Sequence, residues 1–212
     1  MHHLIINKLN PLFERVFIYD NYACRVNKGT HFGIQRTAQF IRRCSQNDTR
    51  DCFILKLDIQ GFFMAIDKGI LWARLRDFIE QHYLGDDLEL LLFLCHRILV
   101  NNPTNNCLIK GNRSNWNGLP PDKSLFYSKP NCGLPIGNLT SQMFANFYMN
   151  AFDHFMKHDL GLWYYGRYVD DFLVVHQDKE HLKALIPIIS KFLSVNLVAV
   201  AKCFVHKIID KS

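Results

Sequence analysis

Two carboxylates stand side by side in Tyr168-Val169-Asp170-Asp171, between two apolar, β-prone arms, Tyr164 to Val169 and Phe172 to His176. Ionised groups beside a core are costly unless they are paired or bound to a cation. A bare Asp-Asp is ordinarily just a turn. Here a third carboxylate, Asp58, stands near the end of another strand-like run, Cys52 to Ile59 (CFILKLDI). If the two strands are neighbours, Asp58 and Asp170 face each other at one edge of the sheet, and like charges held that close demand cations. Two Mg²⁺ ions about 4 Å apart would satisfy them, activate a hydroxyl nucleophile and stabilise a leaving pyrophosphate. Hard oxygen ligands with no Cys/His cluster favour Mg²⁺ over zinc. Three carboxylates from two strands therefore read as a phosphoryl- or nucleotidyl-transfer constellation.

The elements that must position them are legible in outline. Leu4 to Phe17 reads as a helix, followed by a basic, glycine-containing loop, Arg25 to His31, and a second helix from about Thr30 to Arg43. Cys52 to Ile59 is apolar on both sides of Lys56, as a central strand is, and Gly61 breaks it. Asp67 suits an N-cap for a helix with Leu71, Leu75, Phe78 and Ile79 on one face. Asp86 or Asp87 caps a further helix that is apolar nearly all round and hence expected to be buried. Asn101 to Cys132, rich in Pro, Asn and Gly, is a long connection with little regular structure. Phe144, Phe147, Tyr148, Ala151, Phe152 and Phe155 trace one helix stripe, with Thr140 as its cap, and the arms around Asp170-Asp171 form a hairpin. Leu182, Leu185, Ile186, Ile189 and Leu193 mark a last amphipathic helix, kinked at Pro187. This order suits an α+β fold, an antiparallel sheet with helices on one side.

The bulk numbers narrow the partners. The chain has 212 residues and a net charge of +6. Residues 1–56 hold nine Lys/Arg against four Asp/Glu, so nearly all the excess is in the first quarter. A polyanion is the natural partner of such a concentration, and a solvated basic helix face is the alternative. Seven scattered cysteines without a CxxC pair argue against a disulfide framework and for a reducing cytoplasm. Met1-His2-His3-Leu4 lacks the start of a signal peptide. Leu88 to Val100 is too short and too charged to span a bilayer, so no membrane association is expected.

Three extended motifs, in order, carry a family resemblance. Phe53-Ile54-Leu55-Lys56-Leu57-Asp58-Ile59-Gln60-Gly61-Phe62-Phe63 resembles motif A of reverse transcriptases, Gly133-Leu134-Pro135-Ile136-Gly137-Asn138-Leu139-Thr140-Ser141-Gln142 resembles motif B, and Tyr168-Val169-Asp170-Asp171 resembles motif C. Many members have Gln before the motif B glycine and Pro after its serine. Ile136 and Gln142 stand there instead, the form seen in diversity-generating retroelement enzymes. Tyr22 to His31 (YACRVNKGTH) and Gly111 to Phe126 (GNRSNWNGLPPDKSLF) are similar to that subfamily too, and the resemblance covers almost the whole chain.

The resemblance implies an α+β polymerase palm at residues 51–212 and partial helical fingers at 1–50, with the thumb absent. Whole reverse transcriptases carry finger strands before the position of Met1, and a primer grip and thumb beyond that of Ser212. The chain is therefore expected to be truncated at both ends, or one part of a split enzyme. Asp58 and Asp170 would ligate two Mg²⁺ ions, which Mn²⁺ can replace, with Asp171 as second motif C carboxylate and the Ile59 carbonyl as a further ligand. Phe63 would be the steric gate that excludes a ribose 2′-hydroxyl. An ordinary Phe after a strand is core, and only the register marks this one.

Gly137 would let the templating pair lie against the backbone, and Ile136, Gln142 and Tyr168 would border the nascent pair. Ser141 and Gln142 equally suit the first turn of the stripe helix. Lys202 would be the motif D lysine that protonates pyrophosphate. Arg25 and Lys28 are candidates for phosphate contacts, against the alternative of a solvated loop. The implied reaction is attack of a DNA or RNA primer 3′-hydroxyl on a dNTP, directed by an element-encoded RNA template and copied with errors, with a small basic accessory protein as partner. Retron or group II intron types are the nearby alternative, and an inactive palm that only binds nucleic acid is the contrasting one.

Overall fold

Leu55, Leu57 and Ile59 are fully buried while Lys56 between them is exposed, the alternation of a strand with one face on a core. That strand belongs to a computed structural model describing residues 1–197 and 203–205. In chain order the elements are α1 (His2–Val16), α2 (Thr30–Cys44), β1 (Phe53–Ile59), α3 (Phe62–Ala65), α4 (Lys68–His82) and α5 (Leu88–Val100). Three short 3₁₀ turns, Arg113–Trp116, Pro121–Lys123 and Leu125–Tyr127, are all the regular structure in the long connection. Then come α6 (Leu139–Tyr148), α7 (Asn150–His154) with a π turn (Phe155–Asp159), β2 (Tyr165–Tyr168), β3 (Asp171–His176), α8 (Lys179–Asn196) and β4 (Cys203–Val205). They form two compact units. One joins Met1–Arg15 to Gly61–Phe144, the other Val16–Gln60 to the chain from Ala145 onward.

The second unit contains the sheet, in the order β2-β3-β1-β4 and antiparallel throughout. β1 is internal, as its apolar flanks predict. On one face Phe172 meets Phe152 edge-on at 5.1 Å, and Phe155 stacks on Phe192 of α8 at 4.1 Å. On the other face α2 adds partial cover, with Phe40, Cys44, Cys52 and Val175 buried together. Asp178 caps α8, accepting from the amides of Glu180 (2.8 Å) and His181 (3.1 Å).

In the first unit, Ile5, Leu9 and Phe13 form the buried stripe of α1, and Phe13 stacks on Phe78 at 5.8 Å. Asp67 caps α4 as predicted, its carboxylate accepting from Gly69 (2.8 Å) and Ile70 (2.9 Å). Helix α5 departs from expectation. It buries only Leu91, Leu92, Cys95 and Leu99, and leaves Leu90, Phe93 and Val100 exposed. Asp87 stands at its N-cap position, but its side chain bonds Tyr83 (2.6 Å) and Lys8 (2.9 Å) instead of a helix amide.

The aromatic stripe is also less continuous than one helix. α6 ends at Tyr148, and Met149 separates it from α7. Thr140 is no cap: α6 begins at Leu139, the Gln142 amide donates to the Asn138 carbonyl, and buried Thr140 bonds His2 at 2.7 Å.

Candidate active site

Tyr168 and Asp171 are the closing pair of the β2–β3 hairpin, so Val169 and Asp170 are its two-residue loop. Val169 has φ +57, a left-handed backbone that a β-branched residue rarely adopts. The β1–β3 ladder runs from Phe53↔His176 to Leu57↔Phe172. One residue further along each strand stand Asp58 and Asp171. Leu57 and Phe172 are buried, so pleating sends Asp58, Asp171 and Lys56 to the other face. There Lys56 Nζ lies 3.2 Å from Asp171 Oδ1, with both side chains about half exposed. On its other side Asp58 is paired with Phe204 of β4, and Ile59 with Cys203. Tyr168, Lys56 and Asp171 also border an apolar cavity of about 470 Å³, whose far wall is Gly33, Ile34 and Thr37 of α2.

The other predicted nucleotide contacts belong to the first unit. Half-buried Phe63 lies in α3, edge-on to Phe62 at 5.5 Å. Its carbonyl accepts from Leu134 (2.8 Å), that of Ile66 from Gly133 (2.9 Å), and the Lys68 amide donates to Asn131 (3.0 Å). These bonds zip the start of motif B onto the chain that follows motif A. Beyond the zip, Ile136 and Gly137 are exposed, and Gly137 has φ +107 with open space where a Cβ would stand. Gln142 is half-buried in the first turn of α6. Lys202 lies outside the described residues.

Arg25 and Lys28 are both engaged within the chain, Arg25 at a half-buried position and Lys28 at the surface. Arg25 donates to the carbonyls of Ile18 (2.6 Å) and Asn21 (3.0 Å) and lies over the Phe17 ring. Lys28 donates to the Tyr19 carbonyl, its ammonium 4.3 Å from the centre of that ring. Arg36 is spent on Asp20 at 2.8 Å. Arg42, Arg43 and Arg50 are exposed, as are Arg15 and Lys56.

Residues 1–205 match the family described as Reverse transcriptase (RNA-dependent DNA polymerase). The chain belongs to that family. Among solved structures, this reverse transcriptase-family chain is similar to one described as the structure of telomerase from Candida albicans in complex with the TWJ fragment of telomeric RNA. The TM-score is 0.50 at 14% identity, over 97% of this chain and 34% of that one. It therefore spans about a third of that relative's length, and the likeness is one of fold. No curated protein matches it.

Members of this family imply a divalent cation. Asp58, Asp170 and Asp171 supply hard oxygen donors only, which suits Mg²⁺ in donor chemistry. Among the described residues no group of three or more His, Cys, Asp or Glu side chains is arranged to hold a metal ion. The fold brings Asp58 and Asp171 to neighbouring strand positions, and Asp170 to the adjoining loop. It engages Asp171 with Lys56.

Sequence reasoning missed two buried ionic clusters in the reverse transcriptase fold. Asp20, 4% exposed, takes Arg36 and Lys157 together, Lys157 Nζ lying 3.2 Å from Oδ2. Burial holds the Lys157 amine below its ordinary pKa, and Asp20 only partly offsets this. Deeper still, Arg167 and Asp153 pair at 2.7 Å with neither side chain exposed. Burial opposes the Arg167 charge, but Asp153 more than offsets it and the guanidinium pKa is raised. Burial, with Asp153 alongside, pushes the Tyr165 hydroxyl well above its usual range. The available signal was one acid and one base inside otherwise apolar segments, around Phe152 and Tyr165, where a lone charge is untenable.

Proposed function

We propose that this chain carries the palm catalytic region of an RNA-directed DNA polymerase of the diversity-generating retroelement type. It would act in the cytoplasm and copy an element-encoded RNA template with errors. The observation that carries the reading is the β1–β3 register, which sets Asp58 next to the acidic hairpin turn. Residues 51–212 are the proposed palm and 1–50 part of the fingers. Asp58, Asp170 and Asp171, with the Ile59 carbonyl, would hold Mg²⁺ or Mn²⁺. When bound, the cations supply Lewis-acid activation of a primer 3′-hydroxyl and charge neutralisation at the leaving pyrophosphate.

The chain's own residues would do the selecting. Phe63 is the proposed barrier to a ribose 2′-hydroxyl. Ile136, Gly137, Gln142 and Tyr168 border the nascent pair. Lys202 is the proposed proton donor to pyrophosphate. Arg25 and Lys28 would reach template or primer phosphates by giving up internal carbonyls, whereas Arg42, Arg43 and Arg50 face solvent already. Ile136 and Gln142, in place of Gln and Pro, support the subtype over retron or intron enzymes. A small basic protein is the proposed accessory partner. Among the described residues, no helix is long and apolar enough to cross a membrane.

Primer extension on poly-rA/oligo-dT with dTTP and Mg²⁺ or Mn²⁺ tests the reading. Incorporation that disappears in Asp170→Ala is the expected result. Retention of the RNA by the wild-type chain with no incorporation overturns it. That outcome would favour the second reading, a palm that binds nucleic acid without turnover, for which the Lys56–Asp171 ion pair is the supporting observation.

A further inference from the structure

The Arg167–Asp153 pair is an expensive way to fill a core. Removing two charges from water costs several kcal/mol, and an apolar pair of similar volume is often as stable. What the ions provide here is direction. Nε and Nη2 of Arg167 each donate to one Asp153 oxygen at 2.7 Å, and Oδ1 of Asp153 also accepts from the Tyr165 hydroxyl at 2.7 Å. Nη1 donates to Asn146 Oδ1 at 3.2 Å, and the Asn146 amide is oriented by its own donation to the Ala23 carbonyl at 2.7 Å. The main chain of Arg167 is anchored too: its amide donates to Asp20 (2.9 Å) and its carbonyl accepts from Tyr22 (3.0 Å). Both ends of the side chain are thereby fixed.

One bond leads out of this network to the turn. Arg167 Nη1 donates to the Val169 carbonyl at 2.6 Å. Val169 is the residue with φ +57, immediately before Asp170. Such a backbone costs a β-branched residue about 1–3 kcal/mol and persists only where its surroundings over-determine it. A charge-assisted hydrogen bond to that carbonyl fixes the peptide plane between Val169 and Asp170. It thereby fixes the direction in which Asp170 leaves the backbone.

We propose that Arg167, clamped by Asp153 and Asn146, is a positioning residue that holds the Val169–Asp170 peptide so that the motif C carboxylates are aimed. The inference rests on the reading of Asp170 and Asp171 as the metal-binding carboxylates.

The test uses the full chain with the double substitution Arg167→Met/Asp153→Leu, which removes both buried charges at once, so that neither ion is left buried without its counter-charge. Three quantities are read: the melting curve by circular dichroism, the Kd for Mn²⁺ alone by electron paramagnetic resonance, and kcat and KM for dTTP. A cooperative melt is expected, with Mn²⁺ bound about tenfold more weakly and kcat about 100-fold lower, at little change in KM, as follows from an ångström-scale misplacement. Adding Val169→Gly should recover about a tenfold part of kcat, because glycine holds a positive φ without a clamp. A merely structural role would not produce that rescue.

If the double variant does not fold, Arg167→Lys takes its place, since an ammonium cannot reach Asp153, Asn146 and Val169 together. A folded variant with wild-type Kd and wild-type kcat overturns the inference while leaving the polymerase reading intact. A wild-type chain that neither binds Mn²⁺ nor incorporates dTTP sinks both.

Discussion

Lys56 and Asp171 share one face of neighbouring antiparallel strands, 3.2 Å apart, with Asp58 two residues beyond Lys56 on the same face. An ammonium and a cation would compete for the same carboxylate. Lys56→Met should lower the Mg²⁺ concentration giving half-maximal incorporation, but by less than about fivefold, because an exposed ion pair is worth at most about 1 kcal/mol. Stability should stay within about 0.5 kcal/mol of wild type. Mg²⁺ titrations of primer extension alongside thermal melts decide it, and a shift to higher Mg²⁺ would show that Lys56 assists the site instead.

The backbone of Phe63 is fixed by its bond to Leu134, so its ring cannot retreat with the main chain. Phe63→Val should raise rNTP incorporation relative to dNTP by about tenfold or more, the scale on which removal of a steric block acts. Competing rNTP and dNTP at known ratios measures it. An unchanged ratio would return Phe63 to the role of a core aromatic.

Gly61 has φ +64, and a Cβ there would lie 2.9 Å from that of Asp122. Gly61→Ala should destabilise the fold by about 1–2 kcal/mol from the backbone alone, lowering Tm by roughly 2–8 °C. A melt indistinguishable from wild type would mean that position 61 carries no backbone strain in the left-handed conformation and that the Pro121–Lys123 turn makes room as well.

Acid should loosen α8 through its cap. Amides of His181 and Glu180 hold the Asp178 carboxyl below its ordinary pKa. A depressed acid contributes stability that is complete above the unfolded value of about 3.9 and is lost as pH falls through the folded value below it. Asp178→Asn keeps a capping oxygen that does not titrate. Its Tm should therefore fall less than that of wild type between about pH 5 and pH 2. Parallel acid dependences in the two proteins would assign the acid loss to other carboxylates.

Local chemistry made much of this protein legible in its sequence. Apolar β-formers on both sides of Lys56 marked β1, Asp67 announced the start of α4, and apolar arms around Asp170-Asp171 gave the hairpin, because each depends on neighbours a few residues away. The three motifs, read in order, gave the family for the same reason. Reading α5 as buried all round failed because hydrophobicity reports what a helix could bury, not which faces are offered a partner.

Tertiary structure alone decided what charge does. Arg25, Lys28 and Arg36 are indistinguishable in the sequence from Arg42 and Arg43, yet the first three engage carbonyls, rings and Asp20 of the chain while the last two face solvent. Arg167 found Asp153, 14 positions away, only because a strand and a helix crossed. The electrostatic energy of a charge depends on its distance to partners and on burial, and neither is encoded in residue order.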